Sequence, residues 1–310
     1  MGEAVSRHQI LVTGGSGQVG EALRRTLASF GEVVAPSSAE LNLENADSIR
    51  SVMRQVRPRW VVNAGAHTAV DKAESEPERA MAINSTAPAV LAEEAKGIGA
   101  GVIHYSTDYV FDGSKSTPYV EIDATGPLNE YGRSKLAGEM ALSASGASYF
   151  IFRTSWVYGA TGNNFVKSML RLAREREHLK IVADQHGGPT WSCELARMTA
   201  HVIAELEGVT ARDRCSLEQA MLPLCGIYHA TGSGTTTWYG FAAQAIAELQ
   251  KLQPETRLAT VEAIPTAEYP TPAKRPMNSA LDCGKLQRVF SWRMPEWQDS
   301  LAAVVGELAG

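Results

Sequence analysis

The sequence predicts an α/β fold: a doubly wound parallel sheet with a smaller, interleaved C-terminal part. Three observations predict it. Short apolar runs, beginning with Ile10-Leu11-Val12, alternate with stretches of helical periodicity through the first half of the chain. Each run ends in small or polar residues, as a buried strand does where it opens onto a site. The first run passes directly into a turn holding Gly14, Gly17 and Gly20. With 310 residues, 44% of them hydrophobic and 20% charged, the chain can bury a core without disulfides or metal.

The glycines have the spacing G-x-x-G-x-x-G, and Val19, Leu23 and Leu27 then share one helical face. Strand, glycine turn and helix in that order form the start of a Rossmann-type dinucleotide site. Such a turn needs a tight bend, a backbone free to approach a pyrophosphate, and close helix packing. The helix N-terminus then offers unpaired amides to the phosphates. Gly14, Gly17, Gln18, Val19 and Gly20 are therefore candidate cofactor contacts.

Val33-Val34-Ala35 reads as the second strand. Asp47 to Arg57 is helical and is stopped by Pro58. Trp60-Val61-Val62 is a strand that ends at Asn63-Ala64-Gly65, and a helix follows from about Ala80 to Lys96. Val102 to Tyr105 is a strand ending at Ser106-Thr107-Asp108-Tyr109. A helix bearing Tyr131 and Lys135 precedes the strand Tyr149 to Phe152. Ligands of such sheets bind at the carboxyl ends of the strands. Asn63, Thr107, Tyr131 and Lys135 are expected to converge there.

Past Gly159 the pattern loosens. Helices are expected at Phe165–Glu177, Glu194–Glu207 and Tyr239–Lys251, and a strand at Lys180–Val182 followed by a loop to Thr190. Pro265, Pro270, Pro272 and Pro276 mark an irregular segment. The stretch Gly208–Gly226 is polar and aperiodic and reads as a surface loop. Residues 7–160 are assigned mainly to NAD(P) binding. Residues 161–310 are assigned mainly to substrate binding, interleaved with the first part.

Composition excludes several classes. The net charge of −5 offers no basic field to nucleic acid. No apolar run reaches the length of a membrane span, and no secretory leader is present, so the expected location is cytoplasmic. Cys193, Cys215, Cys225 and Cys283 lack metal spacing and read as reduced thiols. Met1-Gly2 with Ser6 fits a myristoylation pattern, but reads as an ordinary lead-in.

Tyr131 and Lys135 are one helical turn apart and so share a face. A free phenol titrates near ~10, and a neighbouring ammonium favours the phenolate. The pair therefore suits protonation of a carbonyl oxygen during reduction. The same pair also arises on solvated helix faces. Its weight comes from the strand ends that precede it. His67 and His186 read as structural, because Tyr131 already fills the acid role.

With these residues placed, the chain resembles the extended short-chain dehydrogenases/reductases and, more narrowly, the dTDP-4-dehydrorhamnose reductases. The matching blocks include Gly17 to Gly20, Asn63 to Glu76 (NAGAHTAVDKAESE), Tyr105 to Phe111 (YSTDYVF) and Pro127 to Glu139 (PLNEYGRSKLAGE). Arg153 to Tyr158 (RTSWVY), Asn163 to Phe165, Asp184 to Thr190, Ser233 to Tyr239 (SGTTTWY) and Tyr269 to Ser279 with Leu281 complete them.

The resemblance implies hydride transfer from NADPH or NADH to C4 of a dTDP-4-keto sugar, within dTDP-rhamnose synthesis for cell-surface polysaccharide. It implies Tyr131 as proton donor and Lys135 as holder of the nicotinamide ribose and depressor of the Tyr131 pKa. Thr107 would bind the same sugar oxygen. Thr68, Val70, Asp108, Tyr109 and Trp156 would line the sugar pocket, and Lys274 and Arg275 would meet the diphosphate. Ser37, Asn42, Leu43, Ala64 and Gly65 would surround the adenosine side with Asn63.

Two departures stand out. Ser37 and Ser38 occupy the end of strand two, where many relatives carry an acid. That permits a 2′-phosphate without demanding it. Some relatives are dimers bridged by magnesium on glutamates. Here the three ligand positions fall on Ala22, Cys193 and Glu307, which implies no metal and a monomer or a homodimer held otherwise. Two other readings share the scaffold. One is another nucleotide-sugar reductase or epimerase. The other is a non-catalytic subunit resembling the regulatory beta subunit of methionine adenosyltransferase.

Overall fold

The computed structural model describes residues 8–309, so the Met1-Gly2 pattern lies outside the described residues. Six strands form one parallel sheet. They are β1 (Gln9–Thr13), β2 (Glu32–Val34), β3 (Trp60–Asn63), β4 (Gly101–Thr107), β5 (Ser148–Thr154) and β6 (Gly226–His229). Their order is β6-β5-β4-β3-β1-β2. The order reverses at β1, whose Thr13 sits in register beside Asn63 of β3. A crevice opens at that reversal, outside the carboxyl ends of both strands.

The helices used below are α1 (Gln18–Leu27), α2 (Ala46–Val56), α3 (Ala87–Ile98), α4 (Glu130–Ala144), α5 (Phe165–Glu175), α6 (Ser192–Asp213), α7 (Leu217–Met221), α8 (Trp238–Leu252) and α9 (Trp297–Ala309). Alternation along β1 decides the layers. Ile10 and Val12 face one way, into a core shared with Leu23 and Leu27 of α1 and Leu195 and Met198 of α6. Leu11 faces the other way, toward Ile49 and Met53 of α2 and Leu91 of α3. Asn45 caps α2 by accepting from the Asp47 and Ser48 amides, and Arg57 ends it in the left-handed region just before Pro58. Asn129 caps α4 through the Gly132 amide at 2.8 Å, which fixes where Tyr131 and Lys135 emerge. In contrast, α1 begins at Gly17 with no side-chain cap, which leaves its first amides uncommitted.

The helix expected from Ala80 to Lys96 is present and longer, running from Pro77 through a π-helical turn at Ala82–Thr86 into α3. One expectation is corrected. The stretch Gly208–Gly226 is not a surface loop. Helix α6 continues to Asp213 and stops at Arg214 with φ 51°. Helix α7 follows, closed by a capping box between Ser216 and Gln219, and the chain then enters β6. Leu217 and Met221 are 3% and 0% exposed and belong to the core under the sheet. Their polar neighbours hid a helix only one turn long. Among the described residues no helix is long and apolar enough to cross a membrane.

Met221→Ala should accordingly cost about 2–5 kcal/mol, read as a fall in the denaturant midpoint. A change under about 0.5 kcal/mol would return this stretch to the surface.

Candidate active site

A cavity of about 550 Å³ opens at the carboxyl ends of β1, β3 and β4. It brings together Gly14, Gly17, Gln18, Val19 and Gly20 with Ala64 and Gly65 on one side. Thr68, Val70, Thr107, Asp108, Tyr109, Tyr131, Lys135 and Trp156 line the remainder. The glycines are required by contact. Gly14 has φ +65°, and a Cβ at Gly20 would run into the Gly14 carbonyl. This cradle, with the uncapped start of α1, fits a dinucleotide diphosphate.

Six expected site residues do not line the cavity. Asn63 is buried behind it, with Oδ1 2.5 Å from Thr13 Oγ1. Thr13 Oγ1 in turn accepts from the Gly65 amide at 3.0 Å, so Asn63 braces the loop from below. Leu43 lies against Gly65, whose missing side chain makes room for it. Asn42 is tied to its own turn, accepting from the Glu44 amide and donating its N–H to Ser48. Ser37 donates from both N–H and Oγ to Glu40, at 2.8 and 2.9 Å. An acid, Glu40, therefore does stand beside Ser37, six residues past the end of β2. Its carboxyl is held below the ordinary range by the two Ser37 contacts. Arg275 pairs with Asp71 at 2.9 Å and lines a second cavity of about 750 Å³ with Phe165, Lys180 and Tyr269. Lys274 offers its backbone carbonyl to Asn129.

The charges at the reacting end follow burial more than proximity. Tyr131 packs edge-on to Tyr109, with ring centroids 5.8 Å apart. Burial pushes the Tyr131 phenol up to about 12, while the Thr107 hydroxyl lowers it and the Asp108 charge raises it. The expectation that Lys135 would hold this pKa below 10 is thus corrected. The Lys135 ammonium points to the Tyr105 carbonyl at 2.6 Å and to His104 Nε2 at 3.2 Å. Burial lowers Lys135 to about 8, opposed by the Glu139 charge. Glu139 itself makes a buried two-point ion pair with Arg153, at 2.9 and 2.6 Å. Burial raises Asp108 to about 7, against hydrogen bonds from Ser279 and Thr107. Thr107 donates to Asp108 at 2.9 Å and accepts from the Tyr109 amide at 3.2 Å.

Residues with no assigned role also reach the site. Trp238, on the first turn of α8, stacks on Trp156 with centroids 3.6 Å apart and planes 10° from parallel. It lines both cavities. Trp238 lies within a block matched by the resemblance, but nothing in the sequence places it beside Trp156. His67 spends its Nε2 on Glu76 at 3.3 Å, and His186 pairs its backbone with Thr237, as structural histidines do.

Two of the three positions counted for magnesium, Ala22 and Cys193, do not fit it. Ala22 has no ligand atom and is buried. Burial and the Glu307 charge push the Cys193 thiol up, which keeps it protonated. The neighbouring carboxylates Glu21 and Glu194 pair with Arg25 and Arg197 of their own helices. Among the described residues no group of three His, Cys, Asp or Glu could hold a metal.

The family model for the RmlD substrate binding domain matches residues 8–309. The chain is 46% identical over 303 residues to the dTDP-4-dehydrorhamnose reductase of Escherichia coli, covering 96% of this chain and 97% of that protein. The crystal structure of a dTDP-4-dehydrorhamnose reductase from Clostridium acetobutylicum superposes with TM-score 0.86 at 34% identity, covering 97% of this chain and all 100% of that one. The enzyme from Bacillus anthracis, solved in complex with NADP, gives 0.85 at 31%, covering 97% and 99%. This chain belongs to the dTDP-4-dehydrorhamnose reductase family.

Proposed function

We propose that this chain reduces the C4 keto group of dTDP-4-dehydro-L-rhamnose to dTDP-L-rhamnose with NADPH or NADH. The observation that carries the reading is that Thr107, Tyr131 and Lys135 meet in the cavity that the glycine turn floors. Gly14, Gly17, Gln18, Val19 and Gly20 would hold the cofactor diphosphate, with Ala64, Gly65 and Lys135 along the dinucleotide. The bound cofactor supplies a hydride at its nicotinamide.

The chain's own residues manage the proton. With its pKa raised to about 12, Tyr131 is fully protonated at neutral pH and can act as an acid at once. The phenolate left after transfer is costly in this buried place. The Thr107 hydroxyl offsets part of that cost. Asp108, raised to about 7 by burial, opposes the phenolate less than a carboxylate in its ordinary range would. Thr68, Val70, Tyr109 and Trp156 would wall the sugar. The adjoining cavity across Trp238 suits the nucleotide half, with Arg275 on its lining for the diphosphate and Lys274 next to it in sequence. On this reading residues 7–160 carry mainly the cofactor and 161–310 mainly the substrate, in a cytoplasmic enzyme.

Tyr131→Phe removes only the proton donor, so turnover should fall by roughly 10²–10⁴ while cofactor affinity survives. Normal turnover would remove Tyr131 from the mechanism. A wild-type chain that fails to oxidise NADPH with the keto sugar would favour a non-catalytic subunit.

Glu40 places one solvated charge on the adenosine side. Glu40→Gln should raise kcat/KM for NADPH relative to NADH by about fivefold, the size of one screened charge. An unchanged ratio would put Glu40 outside the reach of the 2′ position.

The proposed quaternary state is a monomer or a homodimer not bridged by metal. Light scattering after size exclusion should give the same mass with EDTA and with magnesium, and activity should persist in EDTA. A dimer that forms only with magnesium would overturn this.

A further inference from the structure

His104 is a buried titratable group that the proposed chemistry leaves unused. Both ring nitrogens are engaged: Asn63 Nδ2 lies 2.9 Å from Nδ1, and Lys135 Nζ lies 3.2 Å from Nε2. The contacts continue to Thr13 through Asn63 Oδ1 and on to the Gly65 amide. A neutral imidazole carries one N–H, and the amide orientation of Asn63 decides which nitrogen bears it.

Two arrangements fit the ring proton to its two neighbours, and only the first also gives the Thr13 hydroxyl an acceptor. In one, Thr13 donates to Asn63 Oδ1 and the Asn63 amide donates to Nδ1. The ring proton is then on Nε2 and faces Lys135, which must accept it as a neutral amine. In the other, the Asn63 amide is turned over. Its Nδ2 donates to Thr13 Oγ1, and Oδ1 accepts from Nδ1–H. Nε2 is then a bare acceptor, and Lys135 can be an ammonium. Lys135 donates to the Tyr105 carbonyl in both.

We propose that His104 is a positioning residue for Lys135 and sets its charge by a tautomer switch. The ring proton is on Nδ1 when Lys135 is an ammonium and on Nε2 when it is an amine. Passing from the first to the second, an N–H bond of Lys135 breaks as Nε2–H forms, and the Nδ1 proton leaves to water. One proton is released in all. His104 itself stays neutral, because burial and the Lys135 charge hold its pKa well below the usual imidazole range. Glu139 on α4, held by Arg153 of β5, is the other charge bearing on the pair; Tyr131 on α4 and Asp108 beyond β4 line the same cavity as Lys135. From β1 and β3 come only the uncharged Thr13 and Asn63.

The activity arm of the test rests on Lys135 serving the reduction proposed above; the spectroscopic arm does not. The full chain is labelled with ring-¹⁵N histidine, and the signal absent from His104→Gln identifies His104 among the 7 histidines. The ring-nitrogen pattern should reverse with a midpoint near 8, the value burial imposes on Lys135. The alkaline limb of kcat/KM should share that midpoint. His104→Leu removes the acceptor for the ammonium and should move the limb down by about one pH unit. His104→Gln, whose amide can still present an acceptor to Lys135, should leave it within about 0.3 unit. A single tautomer throughout the range in which activity falls would overturn the proposal. So would a limb in His104→Leu that coincides with the wild type. If His104→Leu does not fold, the wild-type nitrogen titration still decides. If the keto sugar is not reduced at all, the function falls while that titration stands.

Discussion

Where β1 turns into α1, backbone meets backbone with no side chain between. A Cβ at Gly20 would strike the Gly14 carbonyl, and one at Gly14 would strike the Gly65 and Ala64 backbone. Two segments distant in sequence, the β1–α1 turn and the loop after β3, can approach only because these positions lack a Cβ. The Thr13–Asn63 contact then locks β1 to β3 at the point where strand order reverses. The same crowding keeps the start of α1 free of a side-chain cap, and it sets the floor against which α4 presents Tyr131 and Lys135. Architecture and site thus share one steric condition.

Above that floor, two electrostatic effects compete. Burial penalises charge on Tyr131, Lys135 and Asp108 alike, whatever its sign. It keeps the acid protonated, weakens the hold of the lysine on its proton, and brings a carboxylate toward neutrality. Buried neutral partners take the place of counter-ions: Tyr105 O, His104 Nε2 and the Thr107 hydroxyl. The full ion pair in this region, Glu139 with Arg153, stands one turn along α4 from Lys135, and its own charges are matched. Removing one member would strand the other in a low-dielectric setting.

How far the sequence reveals this depends on what each feature rests upon. Strands β1, β3 and β4 are legible because their buried runs end at Gly14, Asn63 and Thr107, and those endings mark the crevice. Tyr131 and Lys135 are legible because one helical turn places both. Strand β6 is not, since its four residues follow a one-turn helix and its first half is only partly buried. Nor is the sign of the Tyr131 shift, because spacing shows that a cation is near but not how deeply the phenol is buried. Glu40 beside Ser37 depends on a local turn that composition does not disclose. His104 reads as one more residue of a buried strand until Asn63 and Lys135 close on it from two other elements.

The stacked indoles carry the argument from one half of the chain to the other. Trp156 has φ +43°, a conformation that costs a bulky residue on the order of 1–3 kcal/mol. That cost persists only where surroundings impose it. Trp238 covers one face of the indole, and Gly187 has no side chain because a Cβ there would meet the Trp156 ring. Trp238 is itself held by its N–H to Gln185 at 3.2 Å, and Gln185 is held by Thr266 at 3.0 Å. Thr266 belongs to the proline-rich segment that the sequence shows only as irregular. A strained residue just past the end of β5 is therefore secured by α8, the turn at Gly187 and a distant loop together. Because Trp238 borders both cavities, a ligand long enough to occupy the two must meet the same indole that holds Trp156 in place.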